Sequence, residues 1–195
     1  MSVLKELFGS SAPRLLCQDG TIVPASAALS NKRYVMLYIS ASWCPPCRSF
    51  TPKLAMFHER FNQQHSFEVV FVSGDRDEAS MLAYYHNARH SGLSVSGAEG
   101  SHGNWFAVPY GEASKVYSHL VRCHNVWSIP TLLLFELETG KLVTPHARDH
   151  VIRNLHTAAG FPWEGVDPPA VSLQQVWKVV VVLIVLYLIH LVVAN

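Results

Sequence analysis

Two stretches, Tyr34–Ser40 and Phe67–Ser73, are almost unbroken in apolar, β-branched and aromatic residues, with polar sequence on either side. Continuous rather than alternating hydrophobicity over so short a run predicts strands covered on both faces, as in a parallel sheet. Between them Phe50, Leu54, Phe57 and Phe61 recur at helical spacing, and Lys53, Glu59 and Arg60 fall on the opposite side. Strand, amphipathic helix and strand form a βαβ unit whose strands run parallel. Upstream, Leu15-Leu16-Cys17 and Thr21-Ile22-Val23 flank Gln18-Asp19-Gly20, and an Asp-Gly pair between apolar runs predicts a hairpin, which Pro24 ends. Downstream, residues 78–90 read as helix, and Ala113, Val116, Tyr117 and Leu120 give another amphipathic stripe before a third apolar strand at 131–137. Thr139-Gly140-Lys141 then turns the chain into Leu142-Val143-Thr144, and Val151, Ile152 and Leu155 suggest a closing helix.

Three segments break this pattern. Residues 91–104 carry Gly92, Gly97, Gly100 and Gly103 among several serines and predict a flexible loop. Residues 161–169 hold three prolines and no periodicity, so a folded domain is expected over 1–165 and a linker over 166–175. Residues 176–193 are apolar apart from Lys178 and His190 near the ends, without a polar stripe. At about 1.5 Å per residue this run reaches roughly 27 Å, enough for a thin bilayer with Lys178 snorkelling beside Trp177. The expectation is a transmembrane tail anchor that leaves the preceding domain in the cytosol, on the mitochondrial outer membrane or the endoplasmic reticulum. The first residues offer no secretory pattern, because no basic region leads into an apolar stretch and Glu6 interrupts the nearest candidate.

Composition narrows the chemistry. Lys and Arg total 15 against 14 Asp and Glu, so no broad basic field speaks for nucleic acid. Four cysteines, two of them close together, are too sparse for a disulfide-stapled secreted domain; in a reducing compartment the close pair points to redox catalysis or metal binding.

That pair is Cys44-Pro45-Pro46-Cys47, placed directly after the first buried strand and at the start of the first long helix. A cysteine at a helix N-terminus faces unpaired N–H groups and the positive end of the macrodipole, both of which favour thiolate over thiol. Proline suits the first helical turn, where its missing N–H has no intrahelical use. Cys47 lies one turn along the same helix, within reach for a small disulfide ring. Half a zinc site has the same spacing, but zinc takes four ligands and no second close pair exists, although histidines remain as candidates. Cys17 and Cys123 are isolated and read as ordinary buried or surface thiols.

Further stretches carry a resemblance. They are the run from Ser40 through Trp43-Cys44-Pro45-Pro46-Cys47 to Pro52, then Phe67-Glu68-Val69-Val70-Phe71, Trp105-Phe106-Ala107-Val108-Pro109, Ser128-Ile129-Pro130-Thr131, Ala147-Arg148 and Phe161-Pro162-Trp163. In this order they resemble the tryparedoxins, with nucleoredoxin-type proteins next, over most of residues 10–165. The resemblance implies a thioredoxin fold, a three-layer α/β/α arrangement on a central mixed sheet, extended by the N-terminal hairpin. It implies a cis Pro130 facing the cysteines, Cys44 as nucleophile and Cys47 as resolving thiol, with no cofactor and no metal. Trp43, Pro45 and Pro46 would shape the contact surface, the Ile129 backbone would offer strand-like hydrogen bonds to a partner, and Arg148 would attract substrate carboxylates. Trypanothione is the implied electron donor, and disulfides of peroxiredoxin and glutathione-peroxidase-type enzymes the acceptors. A nucleoredoxin-like reading is the alternative, a redox-sensitive binding module with little turnover. Two features depart from the pattern: Gly74-Asp75-Arg76 stands where a Trp usually precedes Asp-Glu, and 91–104 is an insertion.

Overall fold

The structure is a computed structural model and describes residues 3–86 and 102–166, together with 177 and 181. Its elements in chain order are α1 (Val3–Phe8), β1 (Arg14–Leu16), β2 (Ile22–Pro24), α2 (Ala25–Ala28), β3 (Tyr34–Ser40), α3 (Pro45–Phe61), β4 (Phe67–Ser73), α4 (Glu78–Tyr85), β5 (Phe106–Ala107), α5 (Tyr110–His124), β6 (Thr131–Glu136), β7 (Leu142–Thr144) and α6 (Ala147–Arg153). One mixed sheet runs β2-β1-β5-β4-β3-β6-β7. β3 pairs parallel with β4 and antiparallel with β6, so the two continuously apolar runs are the central strands. Every residue of both is buried, as strands with helices on each face require.

The two-residue period of β3 divides its side chains between two cores. Tyr34, Met36 and Tyr38 enter an aromatic layer with Phe50, Phe57 and Phe61 of α3, Phe71 and Trp105. Val35, Leu37 and Ile39 enter an aliphatic layer against Leu7 and Phe8 of α1 and Ala113, Val116 and Leu120 of α5. The hairpin turns at Gly20, whose φ of 89° suits glycine, while the Asp19 carboxylate accepts from the Thr21 N–H at 2.9 Å.

Several expectations are corrected. The helix expected over 78–90 is capped by Asp77, whose side chain accepts from the Ser80 N–H, and ends at Tyr85; residues 87–90 lie outside the described residues. Helix α6 presents Ala147, His150 and Val151 to the core, an i, i+3, i+4 set that leaves Ile152 40% exposed. The short α1, α2 and β5 were not foreseen, because runs of two to six residues carry too little periodicity to register.

The loop expected over 91–104 is anchored at its far end. His102 is buried, it meets Tyr84 edge-on with ring centroids 4.4 Å apart, and its Nδ1 accepts from the Trp105 indole at 3.2 Å. Burial pushes the His102 imidazole down to about 3, so it is neutral within this aromatic cage. Residues 91–101 lie outside the described residues, as do 167–175 of the linker and all of the 176–193 run except Trp177 and Val181. Among the described residues no helix is long and apolar enough to cross a membrane. Phe161 and Trp163 pack into the aromatic layer, Trp163 stacked on His150 at 5.0 Å, so the proline-rich stretch begins within the fold.

Candidate active site

Where β3 ends at Ser40, the chain turns through Ala41, Ser42 and Trp43 into α3. This is the carboxyl end of the parallel strand pair, where crossover connections leave an open rim. Cys44 is the N-cap of α3, and Pro45 and Pro46 fill the first turn. The Cys47 N–H donates to Cys44 Sγ at 3.3 Å, so a backbone donor that the helix leaves unpaired is aimed at that sulfur. The two cysteines form a disulfide across 5.2 Å between Cα atoms. Cys47 is fully buried and Cys44 retains 5% exposure, so Cys44 is the sulfur a partner can reach, through a narrow opening rather than from an open surface.

The loop from Val126 to Pro130 closes the other side. Asn125, with φ of 52°, ends α5 in the left-handed region and reverses the chain. Val126 anchors the loop in the aliphatic core, and the Ile129–Pro130 peptide is cis. The Ile129 carbonyl oxygen lies 3.8 Å from Cys44 Sγ, and Ile129 packs against the cluster of Ala41, Cys44 and Cys47. Pro130 is buried, whereas Pro45, Pro46 and Trp43 are exposed around the sulfur. The structure therefore gathers Trp43, Cys44, Pro45, Pro46, Cys47, Ile129 and Pro130 at one rim.

Arg148 stands apart on α6. It lines a pocket of about 240 Å³ with Pro130, His124 and His146, and its Nε is buried without a hydrogen-bond partner.

Beneath Cys47 lies a buried set of hydroxyls. The Thr51 hydroxyl donates to the Cys47 carbonyl at 2.9 Å and contacts the Tyr38 and Tyr84 hydroxyls at 2.8 and 2.6 Å; Ser40 Oγ lies 3.2 Å from Tyr84. Burial raises both tyrosines above their usual range, so they stay neutral and serve as hydrogen-bonding groups that fix the first turn of α3.

Two features of the rim were missed in the sequence. Asp75 accepts from the Ser42 N–H at 2.8 Å, from the Ser42 hydroxyl at 2.7 Å and from the Ser73 hydroxyl at 2.8 Å, pinning the turn that delivers Cys44. The Trp43 indole donates to the Gly74 carbonyl at 3.2 Å, so Gly74-Asp75, noted only for a missing aromatic, is the support of the redox loop. Trp127 is 85% exposed beside the site and, with Trp43, Tyr110 and Tyr117, lines a cleft of about 660 Å³. Its signal was a tryptophan in a polar turn directly ahead of Ser128-Ile129-Pro130; that of Asp75 was its place just past a parallel strand's carboxyl end. Among the described residues no group of three or more His, Cys, Asp and Glu side chains could hold a metal ion.

A dithiol/disulfide pair at a helix N-terminus, facing a cis proline at the rim of a mixed sheet, defines the thioredoxin class. The thioredoxin-like family matches residues 31–142, and the chain belongs to that family. Tryparedoxin of Trypanosoma brucei brucei is 38% identical over 152 residues, covering 78% of this chain and 92% of that protein. Probable nucleoredoxin 1 of Arabidopsis thaliana is 34% identical over 150 residues, 76% of this chain but 22% of that longer protein. Among solved structures, tryparedoxin II complexed with glutathionylspermidine superposes with a TM-score of 0.69 at 32% identity, over 84% of this chain and 99% of that one. Within the family the chain is a tryparedoxin/nucleoredoxin-like thiol-disulfide oxidoreductase acting through Cys44 and Cys47.

Proposed function

We propose that the protein passes electron pairs from a trypanothione-type dithiol to disulfides of peroxiredoxin and glutathione-peroxidase-type enzymes. The observation that carries this reading is the Cys44 sulfur itself: it is the reachable member of the pair, held by the Cys47 N–H and set beside the Ile129 carbonyl. As a thiolate, Cys44 attacks one sulfur of the partner disulfide; that S–S bond breaks, a mixed disulfide forms, and the other partner sulfur leaves and takes up a proton. Cys47 then loses its proton and attacks Cys44 Sγ, releasing the second partner thiol and closing the Cys44–Cys47 disulfide. A dithiol donor returns two electrons by the same exchange in reverse. The backbone of Ile129 lies along the partner chain as an added strand segment, and Trp43, Pro45 and Pro46 form the contact surface. Arg148 attracts carboxylates of the donor.

The glutathionylspermidine bound by the similar tryparedoxin II supports a donor of this chemistry. On the sequence pattern of 176–193, the domain is held at a bilayer facing the cytosol, on the mitochondrial outer membrane or the endoplasmic reticulum.

The test is multiple-turnover reduction of a peroxiredoxin disulfide, with trypanothione, glutathione or the thioredoxin reductase system as donor. Rapid turnover with trypanothione alone is expected. Turnover that stalls after one cycle with every donor would overturn the reading in favour of a redox-sensitive binding module. Carbonate extraction of the full chain tests the anchor separately: retention in membranes is expected, and release would remove that part of the proposal.

A further inference from the structure

The two sulfurs of the redox pair are held by separate supports. Cys44 arrives on the turn through Ser42 and Trp43, which Asp75 pins from just past the end of β4. Cys47 follows the two prolines of the first turn; its N–H is given to Cys44 Sγ, and its carbonyl accepts from the Thr51 hydroxyl at 2.9 Å. Both backbone polar groups of Cys47 are therefore engaged by side chains. The helix behind it makes that help count: Pro52 has no N–H, so the hydrogen-bond ladder of α3 lacks a rung immediately after Thr51.

Hydrogen accounting fixes the direction of the network under this turn. A carbonyl oxygen only accepts, so the single Thr51 hydroxyl hydrogen goes to Cys47, and the Thr51 oxygen accepts from Tyr38 and Tyr84 at 2.8 and 2.6 Å. Tyr84, having given its hydrogen to Thr51, accepts from Ser40 at 3.2 Å, and the Tyr38 hydroxyl also lies 3.4 Å from the Cys47 carbonyl. Hydroxyl hydrogens from β3, α3 and α4 thus converge on one carbonyl, and in such a chain each bond strengthens the next. Neither tyrosine ring is free to swing away: Tyr38 packs edge-on against Phe50 at 5.7 Å, and Tyr84 against His102 at 4.4 Å and Phe71 at 5.8 Å. Tyr38, Ser40 and Thr51 are fully buried. Phenylalanine and valine would fill the same space without burying polar groups, so the hydroxyls add direction rather than volume.

We propose that Thr51, seated by Tyr38 and Tyr84, is a positioning residue for the resolving step: it fixes the Cys47 backbone so that the Cys47 sulfur stays aligned on Cys44, and it sets how long a mixed disulfide lasts. The proposal rests on the assignment of Cys44 as nucleophile and Cys47 as resolving thiol. In that step the Cys47 thiol gives its proton to water and the thiolate attacks Cys44 Sγ. A bond forms between the two cysteines as the bond from Cys44 to the partner sulfur breaks, and the partner sulfur leaves with the electron pair and takes up a proton. The attack is intramolecular, so its rate follows alignment steeply; a misplacement of about 1 Å can cost about a hundredfold. Attack of Cys44 on a new disulfide draws on the Asp75 support and does not need Thr51.

The test follows the reduced full chain, carrying Cys17→Ser and Cys123→Ser so that only the pair reacts, with dithiobis(nitrobenzoate), a small disulfide that releases a coloured thiolate at each step. The first release reports attack by Cys44 and scales with reagent concentration; the second reports resolution by Cys47 and does not. Thr51→Val is expected to leave the first rate within about twofold and to slow the second about tenfold, so that the mixed disulfide accumulates. Thr51→Ser keeps the hydroxyl and should bring the second rate back to within about threefold of the parent chain. Tyr84→Phe removes one donor to Thr51 at nearly constant shape and should slow the second step alone, about threefold, which keeps the test decisive if the valine chain does not fold. The proposal is overturned if the second rate is unchanged in a folded Thr51→Val chain or in Tyr84→Phe, if both releases slow together, or if the serine variant gives no rescue. Peptide mapping of the mixed disulfide separates these outcomes from the assignment of roles: nitrobenzoate on Cys47 overturns that assignment and the proposal with it, whereas nitrobenzoate on Cys44 with an unchanged second rate overturns the proposal alone.

Discussion

The two flanks of the Ile129-Pro130 turn are built from different chemistry. On one side Trp43, Tyr110, Tyr117 and Trp127 line a cleft of about 660 Å³ whose charged group, Asp75, has its carboxylate oxygens engaged by Ser42 and Ser73. On the other, a pocket of about 240 Å³ gathers His124, His146, Arg148 and Asp149, with an Arg148 nitrogen left unpartnered. An aromatic surface with its charge tied down suits the apolar side chains of a folded partner, where desolvation dominates. A small pocket with an unpartnered guanidinium nitrogen suits the carboxylate of a compact ligand. Under the function proposed above, protein acceptors would meet the first flank and the carboxylate-bearing small thiol the second.

The harshest way to break this division is Asp75→Ala. Three hydrogen bonds to one carboxylate hold the turn ahead of Cys44, and bonds to charged groups contribute roughly 1.5–3 kcal/mol each. A net loss of about 3 kcal/mol in positioning corresponds to roughly a hundredfold in kcat/KM. Because the turn carries Cys44 itself, the loss should extend to every disulfide, including small ones. Unchanged kcat/KM on a small disulfide would show that the turn holds without Asp75.

Trp127→Ala should separate the flanks more finely. The side chain is 85% exposed, so its removal should alter stability by no more than about 0.5 kcal/mol. An exposed tryptophan that becomes buried on docking contributes upwards of about 1.4 kcal/mol, so kcat/KM for a protein disulfide should fall about tenfold. Reduction of a small disulfide should be untouched. Equal losses on both substrates would erase the distinction between the flanks.

Arg148→Gln is expected to act on the other substrate and more gently. A partly exposed guanidinium in salt contributes under about 1 kcal/mol to an anionic ligand, so kcat/KM for the donor should fall about three- to fivefold. The remaining rate should lose much of its dependence on ionic strength, while the protein acceptor is unaffected. A donor rate with its salt dependence intact would place the carboxylate site elsewhere.

How much of this was legible in the sequence follows the same line. The central strands were, because two runs without polar interruption can be satisfied only between two helical layers, and Cys44-Pro45-Pro46-Cys47 was, because its placement and its chemistry coincide. Pro130 and Arg148 entered through family resemblance. The aromatic flank stayed hidden for a physical reason: Trp43, Asp75, Tyr110 and Trp127 come from four separate segments that meet only once the sheet is ordered. Asp75 in particular looked like a lost tryptophan at its neighbour, since a sequence shows the missing side chain but not the three bonds that a carboxylate makes next to it. His102 was misread with its loop because glycine and serine dominate 91–104, and one histidine gives no sign of the aromatic cage that receives it.

A change that touches neither flank supplies the baseline against which the others are judged. Glu68, at the start of β4, is buried; its carboxylate lies 2.7 Å from His58 Nε2 and 3.2 Å from Lys32 Nζ, and it accepts from the Val69 N–H at 2.9 Å. Burial alone would raise its pKa, but the His58 hydrogen bond and charge, the Val69 N–H and Lys32 together hold it below the usual carboxylate range. A folded-state pKa below the unfolded one means that the unfolded chain binds the proton more readily. The stabilisation is therefore complete above the unfolded value, near 4.5, and disappears as pH falls through the lower folded value. Glu68→Gln removes the charge and leaves His58 and Lys32 facing a neutral amide, so melting at neutral pH should occur at lower temperature, by an amount equivalent to about 1–3 kcal/mol. Below about pH 4.5 the wild-type curve should descend toward that of the variant, whose own profile lacks this component. Activity at temperatures well below melting should not change, because the carboxylate lies on a separate network from the redox rim. A variant melting curve with the same acid slope as the wild type would mean that Glu68 is not the group being protonated. A drop in turnover without a drop in stability would join this buried network to the site and undo its use as a neutral reference.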